Sequence, residues 1–153
     1  MKKNLIIYDG ICLFCEGWVK FVLKNTRREH ENYFIPLQYV NFNSFINEKV
    51  KSNASIILLD DKGNLYFHSD ASLRVMLSLK LIYSYFAFIS LLIPKIFRNF
   101  IYNIIGKYRY HIWGKRNYCK LPDQKFSKYF PLKENDMPDT IRQEFVKNFS
   151  WNK

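Results

Sequence analysis

The sequence predicts an α/β fold, and the arrangement of its apolar segments is the reason. Asn4–Tyr8 reads as a short buried strand, and apolar residues recur at helical spacing from Leu13 onward. Tyr33–Leu37 reads as a second strand after that helix, and a hairpin follows further along the chain. Strands separated by a helix pair in parallel through a right-handed crossover, whereas the strands of a hairpin pair antiparallel. We therefore predict a four-stranded mixed sheet flanked by helices.

The second strand and the hairpin define the outer parts of this sheet. Pro36 cannot donate a ladder hydrogen bond, so we expect its strand to lie at a sheet edge. A weak short helix is expected over 42–49. Five of the six residues in Ala54–Leu59 are apolar, which indicates a third strand. The turn residues at 60–64 connect it to Leu65–His68, its antiparallel partner.

Three more helices are predicted after the hairpin. Ser69 or Asp70 is expected to cap a helix that begins at Ala71. Two apolar segments, 81–93 and 95–108, follow as helices that a proline separates. The order of strand, helix, strand, helix, hairpin and helix is that of a thioredoxin-like fold. Here the fold carries an added C-terminal helical and basic extension.

Length and composition indicate one domain. The 153 residues are 48% hydrophobic and 18% aromatic, which is enough to bury a sizeable core. We assign 1–153 to a single thioredoxin-like domain with its core at 4–80, a helical extension at 81–122 and a tail at 123–153. The formal net charge is +11, and residues 80–153 carry +9 of it. A solvated basic surface is the favoured interpretation, with an acidic partner, a membrane surface or nucleic acid as alternatives.

Cysteine usage and apolar runs predict a cytoplasmic protein. Three cysteines, two of them close together, suit a reducing compartment better than a disulfide framework. The apolar run at Leu5–Ile7 is too short for a signal peptide. The longest apolar run, 81–93, falls short of the roughly 20 residues that a membrane span needs. Peripheral membrane contact is therefore the less favoured alternative.

Cys12 and Cys15 are the residues that indicate chemistry. Two thiols separated by two residues at a helix start meet free backbone N–H groups and the positive end of the helix dipole. That environment lowers a cysteine pKa from about 8.5. We expect Cys12 to attack, as the more exposed sulfur nearer the helix start, and Cys15 to resolve the mixed disulfide. A metal site and an inert buried pair are the alternatives.

Asp9 lies three residues before the first cysteine, and two interpretations of it stay open. Buried near the dithiol, Asp9 could accept a proton from Cys15 or raise the pKa of both thiols through its charge. Equally, its carboxylate could bond nearby backbone N–H groups as a turn former.

Cys119 and the segment around it carry the remaining candidates. Cys119 could be a third redox thiol that receives the disulfide from Cys12 and Cys15, or it could join His111 and the dithiol as the ligand set of a zinc site, although an unpaired cysteine is the simpler interpretation. Residues 107–120 mix basic and aromatic side chains, which could bind nucleic acid, lower thiol pKa values or grip an acidic surface. A solvated basic face with its aromatics packed inward is favoured, and nucleic-acid binding is not expected.

Several short motifs follow one another in the order of a known family. They are Tyr8-Asp9-Gly10-x-Cys12-x-x-Cys15, Phe34-x-Pro36-Leu37-Gln38, Asp60-x-x-Gly63, Ser69-Asp70-Ala71, Tyr108-Arg109-Tyr110, Gly114-Lys115-Arg116 and Cys119-x-Leu121-Pro122. In these motifs the chain resembles the DCC family of predicted thiol–disulfide oxidoreductases over residues 5–122. The resemblance implies a thioredoxin-like fold and a redox-active Cys12–Cys15 pair. Ordinary thioredoxins carry a cis-proline before the third strand, and Ser52-Asn53-Ala54-Ser55 has no proline there.

The resulting expectation is a thiol–disulfide oxidoreductase. Its substrate would be a disulfide-containing protein or a small thiol compound, and its electrons would come from a donor that the sequence does not identify. Such exchange needs no organic cofactor. The alternative is a zinc- or partner-binding module with Cys12, Cys15 and Cys119 as ligands.

Overall fold

The computed structural model describes residues 2–42, 56–118, 124–131 and 133–151. The strands are β1 (Lys2–Tyr8), β2 (His30–Pro36), β3 (Val40–Phe42), β4 (Ile56–Leu59), β5 (Leu65–Phe67) and β6 (Phe149–Trp151). The helices are α1 (Leu13–Asn25), α2 (His68–Met76), α3 (Leu81–Leu92), α4 (Lys95–Trp113) and α5 (Asp139–Asn148). Short 3₁₀ helices cover Leu37–Tyr39, Gln124–Tyr129 and Glu134–Asp136.

The main sheet has four strands in the order β2-β1-β4-β5. β1 pairs in parallel with β2 and antiparallel with β4, and β4 pairs antiparallel with β5. This mixed topology, with α1 as the parallel crossover, confirms the predicted thioredoxin-like fold. β2 lies at the edge of the sheet and ends at Pro36, as expected for a strand that contains this residue.

Alternate residues of β1 enter two separate cores, one on each face of the sheet. Ile6 and Tyr8 pack on the face that α1 and α2 cover, together with both cysteines of the dithiol. Leu5 and Ile7 pack on the opposite face against α5. The two-residue period of a strand produces this division. The dithiol therefore belongs to the core beneath α1.

The second core depends on a segment that the sequence analysis treated only as a tail. Ile141 and Phe145, four residues apart on α5, are fully buried against the sheet. β6 then pairs antiparallel with β3 in a two-stranded sheet beside it. The tail thus supplies the helix that covers this face of the main sheet. The helix expected over 42–49 lies outside the described residues, apart from Phe42 at the end of β3.

Two element boundaries differ from the prediction for identifiable reasons. α2 begins at His68, so Ser69 and Asp70 lie in its first turn and neither caps it. Asp70 instead pairs with α4, where Arg98 Nη1 lies 2.6 Å from Asp70 Oδ1. α4 passes through Gly106 and continues to Trp113, because this glycine is buried within the helix rather than placed at its end.

α3 and α4 form a bent pair on the outside of the molecule. Their axes meet at 117° across a break of a few residues. Among the described helices none is by itself long and apolar enough to cross a membrane, but this pair meets the length and composition requirement jointly. The predicted helical extension therefore exists as two helices, and its outer surface is strongly apolar.

Candidate active site

The dithiol lies at the junction of β1 and α1. Cys12 occupies the N-cap position of α1 with an extended backbone. Its Sγ accepts a hydrogen bond from the backbone N–H of Cys15 at 3.3 Å, which satisfies one of the free donors at the helix start. Both residues are free thiols. The local sequence accounts for this geometry, since the turn after Tyr8 brings the first cysteine to the helix terminus.

The expectation that Cys12 is the more exposed sulfur is wrong. Cys12 and Cys15 are each only 1% exposed. Both lie within the core on this face of the sheet, and a short stretch at 114–116, the cover segment, runs antiparallel across the residues that precede α1. Within it the Arg116 N–H donates to the Ile11 carbonyl at 2.8 Å, and the Gly114 carbonyl accepts from the Leu13 N–H at the start of α1 at 3.5 Å.

Three features hold the cover segment in place. Gly114 has φ 84°, a conformation that favours glycine, and it turns the chain back over the dithiol after α4 ends. The rings of Phe14 and Trp113 lie 4.6 Å apart, which joins the start of α1 to the end of α4. Arg116 Nη1 lies 2.6 Å from Glu16 Oε2. These contacts hold the cover segment against the start of α1.

Asp9 is buried beside the dithiol at the centre of a hydrogen-bond network. Its Oδ2 accepts from Arg109 Nη2 at 3.0 Å and from the hydroxyl of Tyr110. Its Oδ1 accepts from Gln38 Nε2 at 3.0 Å and from the Ile11 N–H at 3.3 Å. The bond from the backbone fits the turn-former interpretation. The turn-former interpretation does not account for the three bonds from side chains. These bonds connect the turn to the residues after β2 and to α4.

Arg109 is the residue that sequence reasoning did not assign to the site. It comes from α4, a hundred positions away from Asp9, and is 8% exposed. Its Nη2 lies 3.0 Å from the Asp9 carboxylate, whereas Nε and Nη1 are buried without a hydrogen-bond partner among the described residues. The available signal was Tyr108-Arg109-Tyr110, one of the motifs that carried the resemblance, together with the idea that 107–120 could fold over the thiols.

The two thiols have opposite pKa shifts. The hydrogen bond from the Cys15 side chain lowers the pKa of Cys12 to about 7, with help from the Cys15 backbone N–H and the Arg109 charge. Burial and the Asp9 charge act against this shift. The same hydrogen bond, followed by burial and the negative charge on Cys12, raises the pKa of Cys15. Cys12 is thus the sulfur that ionises first, and Cys15 keeps its proton.

Tyr110 keeps its proton for a related reason. Burial raises the pKa of Tyr110 to about 12, and its hydrogen bond to Asp9 acts in the same direction, although the hydrogen bond with Arg109 opposes it. The phenol therefore donates to the Asp9 carboxylate across the neutral pH range. Two aromatic residues of the basic segment 107–120 also contact the site. Tyr110 packs against the core that contains the dithiol, and Trp113 packs against Phe14.

Among the described residues, neither a histidine nor a further cysteine joins the dithiol in a group that could hold zinc. His111 is exposed on α4 and does not join the two cysteines. Cys119 lies outside the described residues. So does the segment 52–55, where the sequence has no proline. In the ranges that the structure describes, no group of three or more His, Cys, Asp or Glu residues could hold a metal ion.

Fold and site together define a thioredoxin-like protein with a buried dithiol at the first helix start. The chain belongs to the DCC1-like thiol-disulfide oxidoreductase family, whose sequence pattern it matches over residues 6–115. It is 28% identical to the uncharacterized protein YuxK of Bacillus subtilis (strain 168), covering 85% of this chain and 95% of that protein. It is 27% identical to the DCC family protein At1g52590, chloroplastic, of Arabidopsis thaliana, covering 78% of this chain and 70% of that protein. No solved structure matches significantly. The suspected family is therefore confirmed.

Proposed function

We propose that this protein catalyses thiol–disulfide exchange, with Cys12 attacking and Cys15 resolving. The observation that carries the proposal is the difference between the two sulfurs. Cys12 has a pKa of about 7, so close to half of it is thiolate at neutral pH. Cys15 has a raised pKa and remains a thiol until the first sulfur has reacted. Membership of a thiol-disulfide oxidoreductase family supports the same assignment.

The reaction proceeds in two displacements. The Cys12 thiolate attacks a substrate disulfide, forms a mixed disulfide and releases one substrate thiolate. Formation of the mixed disulfide removes the hydrogen bond to the Cys12 thiolate, which is the first cause of the raised pKa of Cys15, and the Cys12 charge with it, so that burial is the largest cause that still raises this pKa. Cys15 then gives its proton to solvent, attacks the Cys12 sulfur and releases the second substrate thiolate. The substrate gains two electrons, the protein becomes a disulfide, and a dithiol reductant returns it to the starting state.

Asp9 and Arg109 act on this reaction through charge and position. Arg109 lowers the pKa of both sulfurs, and Asp9 raises them by a smaller opposing effect. The Asp9 carboxylate accepts four hydrogen bonds, which occupy its lone pairs. We therefore propose that Asp9 is a positioning residue that holds Arg109 near the sulfurs, in place of the proton acceptor considered from sequence.

Burial of both sulfurs limits the form of the substrate. Among the described residues the cover segment pairs directly with the Cys12 backbone, so we expect it to shift from residues 11–13 when a disulfide reaches the sulfur. The backbone bonds of this segment and the Arg116–Glu16 ion pair oppose that shift. The half-buried ion pair contributes little, so we expect opening to be governed mainly by the backbone bonds.

A pH-resolved alkylation experiment tests the proposal. We expect iodoacetamide to modify the reduced protein at Cys12 with a rate that rises through pH 7, because only the thiolate reacts. The Cys15→Ala variant removes the hydrogen bond from the second thiol, so the midpoint moves toward the ordinary value of about 8.5. Cys12→Ala is the matched control: it removes the modification step near pH 7, because burial still raises the pKa of Cys15 above the ordinary value.

A redox titration with thiol counting gives the second half of the test. The wild-type protein, equilibrated with reduced and oxidised glutathione, is expected to lose two thiols together as the Cys12–Cys15 disulfide forms. Neither single-cysteine variant can form that disulfide. Absence of the disulfide at every ratio, or one equivalent of bound zinc with three protected thiols, would contradict the proposal and favour the metal-binding alternative.

A further inference from the structure

The outer surface of α3 and α4 is far more apolar than the remainder of the molecule. Seventeen of the nineteen large hydrophobic side chains that are exposed in the described ranges lie between Leu81 and Trp113. On α4 they recur at three- and four-residue spacing, as at Phe97, Phe100, Ile104 and Tyr108, which places them along one side of the helix. We call this surface the apolar face. Soluble monomers rarely expose a continuous apolar surface of this kind.

The charged residues in the stretch of sequence that carries the apolar face are all of one sign. No aspartate or glutamate occurs between Asp70 and Asp123, a stretch with nine lysines and arginines. Of these, Lys95, Arg98, Arg109 and Arg116 form ion pairs with carboxylates of the thioredoxin-like core. Lys80, Lys107 and Lys115 are exposed and make no ion pair with a described residue. Exposed cations therefore accompany the apolar face.

We propose that the apolar face docks onto the surface of a lipid bilayer that contains anionic lipids. An apolar helix surface with aromatic side chains and flanking lysines lies in the plane of such an interface, with its apolar side below the headgroups. Anionic headgroups attract the nearby lysines at the same time. The charge pattern selects this occupant over a second copy of the chain, because two basic faces would repel each other.

The contacts of α4 with the core favour lying on the bilayer over crossing it. Arg98 pairs with Asp70, Arg109 pairs with Asp9, and the hydroxyl of Ser69 lies 2.6 Å from Asn99 Oδ1. Insertion of α4 across a membrane would break these buried polar contacts without replacing them. The 117° bend between the helices also keeps them from forming one continuous span.

A cavity of about 290 Å³ opens through the same surface. Ile93, Ile101 and Ile105 belong both to its lining and to the apolar face, and Phe14 of the dithiol motif lines its inner end. Contact with acyl chains would remove the apolar lining of this cavity from water. Because α4 ends at the cover segment, docking would also bring the dithiol close to the bilayer surface.

Co-sedimentation of the full-length protein with vesicles tests the proposal. The probes are vesicles of phosphatidylcholine with phosphatidylglycerol, and matched vesicles of phosphatidylcholine alone. We expect the protein to pellet with the anionic vesicles, to bind the neutral ones at least about tenfold more weakly, and to be released from the anionic ones by added salt. Trp113, 45% exposed, gives a second readout through a blue shift of its fluorescence.

Two variant pairs separate the apolar and the charged contributions. Phe97→Ser with Phe100→Ser removes two exposed rings and is expected to weaken binding at least about tenfold. Val146→Ser on α5, exposed to a similar degree but on the opposite side of the sheet, is the control and leaves binding unchanged. Lys80→Glu with Lys107→Glu is expected to weaken anionic binding about tenfold or more. Lys62→Glu with Lys133→Glu changes the net charge equally and leaves binding nearly intact.

Four results would overturn the proposal. The first is no binding to either kind of vesicle. The second is equal binding to both kinds with no effect of salt. The third is a stable dimer in solution that buries the apolar face, seen as a doubled mass that the two phenylalanine substitutions abolish. The fourth is retention in the membrane fraction after a carbonate wash, which identifies an integral rather than a docked protein.

Discussion

The two sides of α4 differ in a way that reverses the usual arrangement of a surface helix. A surface helix normally turns its apolar side to the core and its charges to water. In α4 the inward side carries Arg98, Asn99 and Arg109, which bond to the core, while the outward side carries exposed residues such as Phe97 and Phe100. Polar contacts and the Phe14–Trp113 ring contact therefore attach the helix to the core, and its outward apolar residues remain exposed.

This reversal connects the two proposed properties of the protein. The inward side supplies Arg109 to the dithiol and ends in the cover segment above it. The outward side supplies the apolar face. Because the contacts on the inward side include the buried Arg109–Asp9 pair and the partly buried Arg98–Asp70 pair, their loss affects folding stability, whereas the outward side contributes little to it. The next predictions test this difference directly.

Arg109→Met is expected to have the largest effect on stability. It leaves the Asp9 carboxylate buried without its cation, so we expect the free energy of unfolding to fall by about 3–5 kcal/mol. Urea denaturation followed by circular dichroism measures the change. Adding Asp9→Asn in the same chain removes the uncompensated charge and is expected to recover part of the loss. Strictly additive losses in the double variant would show that the two residues do not act as a pair.

Asp70→Asn is expected to have the next largest effect. Burial acts to raise the pKa of Asp70, but hydrogen bonds and charge from Lys95 and Arg98 lower it overall. The substitution weakens charged hydrogen bonds at a partly buried site, which costs about 1.5–3 kcal/mol. Asp61→Asn is the control, since Asp61 is exposed and pairs with no described cation, and we expect a change within about 0.5 kcal/mol.

The pH dependence of that effect follows from the lowered pKa. Asp70 has a lower pKa in the folded protein than in the unfolded chain, where it is about 3.9. Its contribution is therefore fully present above the unfolded pKa and is lost as the pH falls through the folded value. The stability difference between the wild type and Asp70→Asn is expected to be constant near neutral pH and to shrink below about pH 4. A difference that grew on acidification would contradict the ion pair.

The sequence predicted the parts of this molecule that depend on local chemistry. The position of Cys12 at a helix start follows from the residues on either side of it, and the edge position of β2 follows from Pro36. Arg109 could not be placed in the same way, because its contact with Asp9 spans a hundred residues and depends on how α4 crosses the core. The prediction that Cys12 is the more exposed sulfur was wrong for the same reason, since the cover segment that pairs with it is equally distant in sequence.

The two C-terminal elements teach different lessons. The apolar spacing on α4 predicted a helix, but periodicity alone does not say whether the apolar side faces the core or the solvent. The pair Ile141 and Phe145 on α5 has the spacing of a buried helical side, and it was overlooked because polar residues surround it. In both cases the missing information is which surface remains available to pack against, and only the assembled sheet supplies it.

The smallest effect is expected on the outward side of α4, and its size decides whether the comparison holds. Phe97 and Phe100 are 62% and 66% exposed, so replacing both with serine removes little buried surface and is expected to change the free energy of unfolding by less than about 0.5 kcal/mol each. Phe145→Ala, which empties a fully buried position, shows that the assay detects a loss of about 3–5 kcal/mol. A loss above about 1 kcal/mol for each exposed ring would mean that the apolar face is already covered in solution, and the outward side would then stabilise the protein as the inward side does.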